Sequence, residues 1–340
     1  MSKLPLFAAC LSLLAGPLRA EVPQVVTDIA PVHALTAQVM DGVGTPELLV
    51  RPGQSPHSYA LRPSQARALQ QADLVIWVGE GLTPWLEKPL TSLAAQGEIL
   101  ELMAAEGTVK LPYRGAEDIL AAAEAAQRHD GQDDHGGHGE HAADDGEARD
   151  GTHGGEADHE EAGHHHGHGG DDPHAWLDPR NGSVWLDLIA GRLAALDPEH
   201  AGIYRANAAR GQAGIAAAMN EVAGMLRPMQ GVAFVSYHDA FQYFEARFGL
   251  TLAGTVTPGD ATNPSPAQLA RLRDRLEDLE VRCAFAEPQF DTRLLQAAVA
   301  GRDIPILELD PLGRAHELGK DLYPALIRDL GAGFAACAGN

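Results

Sequence analysis

The sequence predicts an α/β fold of two Rossmann-like lobes, each a mainly parallel sheet with covering helices, joined by one long helix. Two observations predict it. Short apolar runs alternate with helix-like segments both before and after the middle of the chain, and such alternation is typical of parallel sheets. Between the two sets lies an alanine-rich stretch, 198–226, whose apolar residues keep a helical period. As one helix it would be roughly 43 Å long, which suits a strut between lobes better than a cover on a small sheet.

The first lobe is built from short elements, each marked in the sequence. Its strands are short apolar runs, and its second helix begins at Pro63, since proline is favoured in the first helical turn. In order, the predicted elements are a strand at 25–29, a helix at 31–41, a strand at 47–50, a helix at 63–71 and a strand at 74–78.

The second lobe follows the strut. A helix ending near residue 196 closes the first lobe, and Asp197 with Pro198 forms a cap and first-turn proline for the strut. Ser265 and Gln268 have the spacing of a capping box. The elements predicted beyond the strut are a strand at 232–236, a helix at 265–279, a strand at 281–286, a helix at 292–300 and a strand at 304–309. The chain therefore divides into an N-terminal lobe at 21–196, a linking helix at 197–228 and a C-terminal lobe at 229–340.

Residues 1–20 have the pattern of a secretory signal peptide. Lys3 supplies a basic start, an apolar stretch runs from 4 to about 18, and Ala20 is the small residue before cleavage at Glu21. The stretch is shorter than the roughly 20 residues that a membrane span needs. The alternative is an N-terminal helix that stays as an anchor. We expect export out of the cytoplasm.

Residues 129–172 interrupt the first lobe with a composition unlike the rest of the chain. They contain ten histidines, fourteen acidic residues and one arginine, with almost no large apolar side chain. Such a segment cannot bury enough surface to offset the entropy of ordering it, so we expect a disordered insertion. It would form weak, interchangeable metal sites as an auxiliary collector or sensor, or be a solvated spacer with incidental metal affinity. The auxiliary ligands expected in it are His135, His138, His141, His164, His165, His166 and His168.

The charge of the chain bears on its partners. The formal net charge is −22. Nucleic-acid binding needs a basic face, so we expect no nucleic-acid partner. A strongly acidic protein instead attracts cations.

Two cysteines remain once the signal peptide is removed, Cys283 and Cys337. An even number in an exported protein favours one disulfide, and two buried free thiols are the alternative. A metal role is not expected, because the two are far apart in sequence and not in a CxxC pair.

Four residues outside the insertion occupy positions suited to a metal site. His57 lies in a loop after a strand, while His238 and Asp310 come at the ends of two later strands. His174 lies just after the insertion. Ligands of open α/β sheets bind at the carboxyl ends of strands, so two facing sheets would bring such residues into one interlobe cleft. Three neutral imidazoles and a carboxylate form the tetrahedral site that Zn²⁺ favours, whereas Mg²⁺ and Ca²⁺ prefer oxygen. For each histidine alone, an ordinary polar loop residue is the alternative.

Patterns typical of enzymes do not account for these residues. The stretch from His159 to His164 misses the HExxH pattern by one residue and lies in the acidic tract, and neither a GxSxG elbow nor a P-loop occurs. A site with four protein ligands would leave no open position for a substrate. We therefore expect a binding protein and not an enzyme.

Six segments carry a family resemblance: 55–65 (Ser-Pro-His-Ser-Tyr-Ala-Leu-Arg-Pro-Ser-Gln), 72–79 (Ala-Asp-Leu-Val-Ile-Trp-Val-Gly), 174–179 (His-Ala-Trp-Leu-Asp-Pro), 236–244 (Ser-Tyr-His-Asp-Ala-Phe-Gln-Tyr-Phe), 285–290 (Phe-Ala-Glu-Pro-Gln-Phe) and 309–313 (Leu-Asp-Pro-Leu-Gly). Together they resemble the periplasmic zinc-binding proteins in the metal-binding class of ABC-transporter solute-binding proteins. The resemblance covers essentially the whole mature chain, including the acidic insertion and the cysteine pair.

The resemblance implies a fold, a ligand set and a function. The fold is two α/β lobes joined by one long helix, and the zinc ligands are His57, His174 and His238. Some relatives use a glutamate just before the first ligand histidine, but this chain has Pro56 there. Others use an aspartate at the position of Asp310, which is therefore the expected fourth ligand, with water as the alternative.

The implied protein is a periplasmic monomer that captures Zn²⁺ as its transported ligand and delivers it to the permease of an ABC transporter in the inner membrane. A Mn²⁺-binding protein on the same scaffold and a secreted metal buffer without a transporter are the alternatives.

Overall fold

The computed structural model describes residues 22–130, 170–257 and 264–339. The expected signal peptide and nearly all of the expected acidic insertion lie outside these residues. Within them the chain forms two four-stranded sheets, both wholly parallel. Helices cover the sheets, so the predicted α/β architecture of two lobes is confirmed.

The first sheet contains the strands of the N-terminal lobe in the order β2-β1-β3-β4. Most predicted elements are present with bounds shifted by a few residues. The elements are β1 (Val25–Thr27), α1 (Ala30–Met40), β2 (Glu47–Leu48), α2 (Pro63–Gln71), β3 (Leu74–Trp77), α3 (Glu87–Leu93) and β4 (Glu98–Glu101).

The second sheet repeats this arrangement in the order β6-β5-β7-β8. Neither β4 nor β6 has a counterpart among the predicted strands. β4 begins and ends with glutamate and β6 contains Gly254, and both glutamate and glycine are weak strand formers. The elements are β5 (Ala233–Ser236), α7 (Gln242–Phe248), β6 (Thr251–Thr255), α8 (Pro266–Asp278), β7 (Cys283–Ala286), α9 (Arg293–Val299), β8 (Ile306–Glu308) and α10 (Leu322–Ala338).

Three helices lie between β4 and β5 along the described chain: α4 (Ala116–Asp130), α5 (Pro179–Leu196) and α6 (Ala201–Met225). The predicted strut at 198–226 corresponds to α6, preceded by a 3-10 turn at Pro198–His200. α6 packs on α5 and α1 and also on α10, so it contacts both lobes. α4 precedes the acidic insertion but packs on β6 of the second sheet, where Leu120 and Ala123 join the apolar core.

One large apolar core runs through both lobes and fixes the second sheet against α10. Phe334 of α10 packs against Phe234 and Phe285, with ring centroids 5.1 and 4.9 Å apart. The expected disulfide between Cys283 and Cys337 joins β7 to the same helix, with Cα atoms 5.8 Å apart. Among the described helices, none is both long and apolar enough to cross a membrane.

Candidate metal centre

His57 is presented by the loop between β2 and α2. The Trp85 indole donates a hydrogen bond to the carbonyl oxygen of Pro56 (2.7 Å), and the ring of Tyr59 packs on that indole with centroids 5.2 Å apart. Gly53 turns the loop with φ +82°, a backbone conformation that favours glycine. Trp85 therefore contacts the loop both before and after His57, at Pro56 and at Tyr59.

His174 is buried at the start of the 3-10 turn Ala175–Leu177, directly after the chain returns from the insertion. The Nδ1 atom lies 2.7 Å from Oδ1 of Asp172, which also accepts from the backbone N–H of His174 at 3.0 Å. Burial raises the pKa of Asp172, and the contacts with His174 oppose that rise. Because a carboxylate can only accept here, Nδ1 carries the proton and Nε2 presents its lone pair.

His238 is held in the same way on the opposite side of the cleft. It follows β5, and its Nδ1 atom lies 2.6 Å from Oε1 of Glu287, the residue that directly follows β7. Both residues are buried, with 2% and 1% of their surface exposed. The ring of Phe290 lies edge-on at 5.1 Å. The Nε2 lone pair of His238 therefore also faces the cleft.

The three imidazoles converge on one point. The Nε2 atoms of His174 and His238 are 3.4 Å apart, and His57 completes a group whose ligand atoms all lie within 4.8 Å of one another. Two nitrogens that bind one zinc ion tetrahedrally at 2.0–2.1 Å stand roughly 3.3–3.4 Å apart. The spacing of the His174 and His238 nitrogens thus matches a shared zinc ion.

The cavity beside these nitrogens is small, with a volume of about 10 Å³. That is room for about one water-sized species. It lies between the lobes, and its lining consists of Ser55, Pro56, His57, His174, Trp176, His238, Glu287, Gln289, Phe290, Pro311 and Leu312.

Asp310 is not part of the histidine group. Its Oδ1 accepts hydrogen bonds from Gln289 Nε2 and the Leu312 N–H, both at 3.0 Å, and its Oδ2 accepts from the Arg314 N–H at 2.6 Å. These donors hold the carboxylate within the loop after β8. The structure brings together His57, His174 and His238, whereas Asp310 accepts a hydrogen bond from Gln289, a residue that lines the same cavity.

Contacts across the cleft hold the lobes close at this site. Tyr323 of α10 donates to the carbonyl oxygen of Trp176 (2.7 Å), and the Trp176 indole donates to the carbonyl oxygen of Pro311 (2.8 Å). Tyr243 of α7 donates to the carbonyl oxygen of Asp172 at 2.7 Å. The backbone on both sides of His174 is therefore fixed from the second lobe.

Sequence reasoning missed the two carboxylates that orient the histidines, Asp172 and Glu287. A usable signal existed for Glu287, which directly follows the buried strand β7, much as His238 follows β5. The expected auxiliary histidines, His135 to His168, lie outside the described residues.

Comparison with known proteins gives a consistent result. The model of the family described as "Zinc-uptake complex component A periplasmic" matches residues 25–337. "High-affinity zinc uptake system protein ZnuA" of Paracoccus denitrificans (strain Pd 1222) is 46% identical over 333 residues, covering 98% of this chain and 97% of that protein. The protein of the same name from Brucella abortus (strain 2308) is 37% identical, with 96% and 94% covered.

Solved structures share the fold at lower sequence identity. "Crystal structure of ZnuA" has a TM-score of 0.67 at 20% identity, covering 92% of this chain and all of that one. FpvC from Pseudomonas aeruginosa in complex with Mn²⁺ has a TM-score of 0.70 at 17% identity, covering 94% and 99%. With the family match over nearly the whole described chain, the conclusion is direct: this chain belongs to the ZnuA family, zinc-uptake complex component A, periplasmic.

Proposed function

We propose that this protein captures Zn²⁺ in the periplasm and delivers it to the permease of an ABC importer. The observation that carries the proposal is the convergence of His57, His174 and His238, with two Nε2 atoms 3.4 Å apart. Two of these imidazoles have Nδ1 against a buried carboxylate, the arrangement that fixes a histidine as a metal ligand. The names of the relatives, which are zinc uptake proteins, support the same function.

The donor set favours zinc over manganese. Three imidazole nitrogens suit Zn²⁺, whereas Mn²⁺ prefers a site richer in oxygen. The nearest carboxylates support the histidines instead of joining the group. Adding Mn²⁺ in large excess should therefore fail to displace Zn²⁺; displacement would favour the manganese alternative.

The cleft suits a binding protein more than an enzyme. A cavity of about 10 Å³ has no room for an organic substrate beside the ion. Release to the permease then requires the lobes or the His57 loop to move. Because α6 and the shared core join the lobes, we expect small displacements and not wide hinge opening.

The acidic histidine-rich tract is proposed as an auxiliary, low-affinity zinc collector or sensor. The described chain on either side of the tract is tied together: the Asp172 N–H donates to the carbonyl oxygen of Leu111 at 2.8 Å, and Pro112 pairs with Asp171. These ties end two residues before His174. Deleting 131–169 should therefore preserve the tight site while removing the weak ones.

The decisive experiment is zinc binding by the full chain in competition with a high-affinity chelator, which removes the contribution of weak sites. His57→Ala, His174→Ala and His238→Ala should each weaken the tight site by more than the roughly 10–100-fold expected when only a supporting residue is lost. His316→Ala is the matched control, because His316 is a surface residue paired with Asp329. Unchanged affinity in all three variants would refute the proposal.

A further inference from the structure

His174 belongs to the first lobe by sequence, but a helix of the second lobe holds the backbone around it. Tyr243 of α7 donates to the carbonyl oxygen of Asp172 at 2.7 Å, two residues before His174. Arg247 of the same helix donates two hydrogen bonds, of 2.8 and 2.6 Å, to the carboxylate of Asp178. One short helix therefore fixes the chain both before and after this ligand.

The first residue of α7, Gln242, supports the imidazole of His174 through Asp172. Oδ1 of Asp172 accepts from the backbone N–H of His174 and faces its Nδ1. With its amide in the orientation that satisfies both amide atoms, Gln242 donates to Oδ2 of Asp172 at 2.8 Å and to the carbonyl oxygen of Pro112 at 3.2 Å. Both oxygens of this buried carboxylate are thus held, and a held carboxylate fixes the ring that it faces.

His238 is attached to the same helix along the chain, because it lies between β5 and α7, four residues before Gln242. Phe244 anchors α7 in the core of the second lobe, where its ring stacks on that of Phe334 with centroids 5.4 Å apart. One segment of the second lobe thus positions both His174 and His238. Their Nε2 atoms are already 3.4 Å apart, the spacing of two nitrogens on one zinc ion.

His57 is held from the first lobe. The Trp85 indole donates to the carbonyl oxygen of Pro56 at 2.7 Å, and Gln65 of α2 accepts from the Tyr59 hydroxyl at 3.2 Å. A displacement of the lobes therefore changes the distances from His57 to the other two histidines, while the distance between those two stays the same.

We propose that His174 and His238 form a preformed pair that binds the ion first and releases it last, with His57 completing the site from the other lobe. Gln242 is the positioning residue of this pair, because it joins the Asp172 carboxylate to the helix that follows His238. A pair whose geometry exists before the ion arrives loses little entropy on binding. This inference rests on the proposed zinc-binding function and specifies the order in which its ligands engage.

The first test compares the residual Zn²⁺ affinities of three full-length variants by chelator competition. His57→Ala leaves the preformed pair, whereas His174→Ala and His238→Ala each leave one histidine on each side of the cleft. His57→Ala should therefore retain the tightest residual binding, by roughly 2–10-fold, the effect of ordering one side chain. Residual binding in His57→Ala that is equal to or weaker than in the other two would overturn the inference.

The second test uses Gln242→Met, which keeps the length of the side chain and removes its donor. In the metal-free protein, an imidazole N–H held against a buried carboxylate exchanges slowly and gives a downfield proton NMR signal, which His174→Ala and His238→Ala assign. Gln242→Met should shift or broaden the His174 signal, leave that of His238 in place, and weaken Zn²⁺ binding by roughly tenfold, the lower end for loss of an outer partner. Gln230→Met is the matched control, because its amide donates to the carbonyl oxygen of Phe248 at the other end of α7.

A Gln242→Met protein with the proton signals and the Zn²⁺ affinity of Gln230→Met would overturn the role of Gln242. Gln242→Asn is the second variant should the methionine protein not fold, since its shorter amide cannot reach Asp172 and the same change in the His174 signal is expected. Failure of the wild-type chain to bind one Zn²⁺ tightly would instead refute the proposed function.

Discussion

Replacing Arg114 by methionine should lower the free energy of unfolding by about 3–5 kcal/mol at pH 8. Arg114 lies just before α4, and its guanidinium joins two carboxylates of the second lobe. Nε and Nη2 donate to the two oxygens of Asp239, both at 2.7 Å, and Nη2 also donates to Glu245 at 2.8 and 2.9 Å. The exposed fractions are 17% for the Arg114 and Asp239 side chains and 4% for that of Glu245.

The magnitude follows from what the substitution leaves behind. Methionine keeps much of the bulk of the side chain but leaves the buried Glu245 and the partly buried Asp239 facing each other without a cation. Burial raises the pKa of Glu245 to about 7, although Arg114 opposes the rise. Burial also disfavours the charge on Arg114, yet Glu245 and Asp239 outweigh this and raise the pKa of the guanidinium. Without Arg114, Glu245 takes up a proton more readily, so the deficit in stability should shrink towards pH 5.

The assay is urea denaturation of the metal-free protein, with Arg328→Met as control. Arg328 forms an ion pair with Glu221 on the surface, where the side chains are 35% and 47% exposed, and its loss should change stability by about 0–1 kcal/mol. Adding Glu245→Gln to Arg114→Met should recover part of the loss. The reasoning is refuted if Arg114→Met is no less stable than the control, or if the second substitution recovers nothing.

Three further outcomes follow from the structure. Replacing Cys283 and Cys337 together by alanine should lower the free energy of unfolding, measured in urea, by about 4 kcal/mol. The reason is that the disulfide no longer closes a loop in the unfolded chain between two residues 54 positions apart. Adding a reductant to this variant should have no further effect. The contribution of Glu245 to stability should fall as the pH rises from about 4.5 to 7, since the folded protein holds the Glu245 proton more tightly than the unfolded chain does, and Glu245→Gln should remove that contribution in the same assay. Gly182→Ala places a Cβ 2.5 Å from the Tyr323 hydroxyl, so the Tyr323 side chain must shift. The loss of packing should lower the thermal midpoint by a few degrees, equivalent to about 1–3 kcal/mol. An unchanged midpoint would contradict this.

Much of the site was predictable because parallel sheets follow a positional rule. His57 follows β2 through a loop and His238 follows β5, so the carboxyl ends of two facing sheets bring them together. His174 follows no strand, so this rule does not place it, and the family resemblance is what implied its role as a ligand. Its position depends on the return of the chain from the insertion. Two hydrogen bonds then fix it: Tyr243 donates to the carbonyl oxygen of Asp172, and His174 Nδ1 donates to the Asp172 carboxylate. No local sequence pattern reveals these contacts.

The different surroundings of Glu287 and Asp310 show what the sequence alone could not determine. Both carboxylates follow a short strand of the second sheet, but only Asp310 was predicted as a metal ligand from the sequence. The strand order decides between them, because β7 lies next to β5 whereas β8 lies one strand further away. Neighbouring strands are about 4.8 Å apart, so Glu287 reaches His238 directly while Asp310 reaches only as far as Gln289. Strand order is a property of the assembled sheet, and for that reason the contact between Glu287 and His238 was not predicted from the sequence.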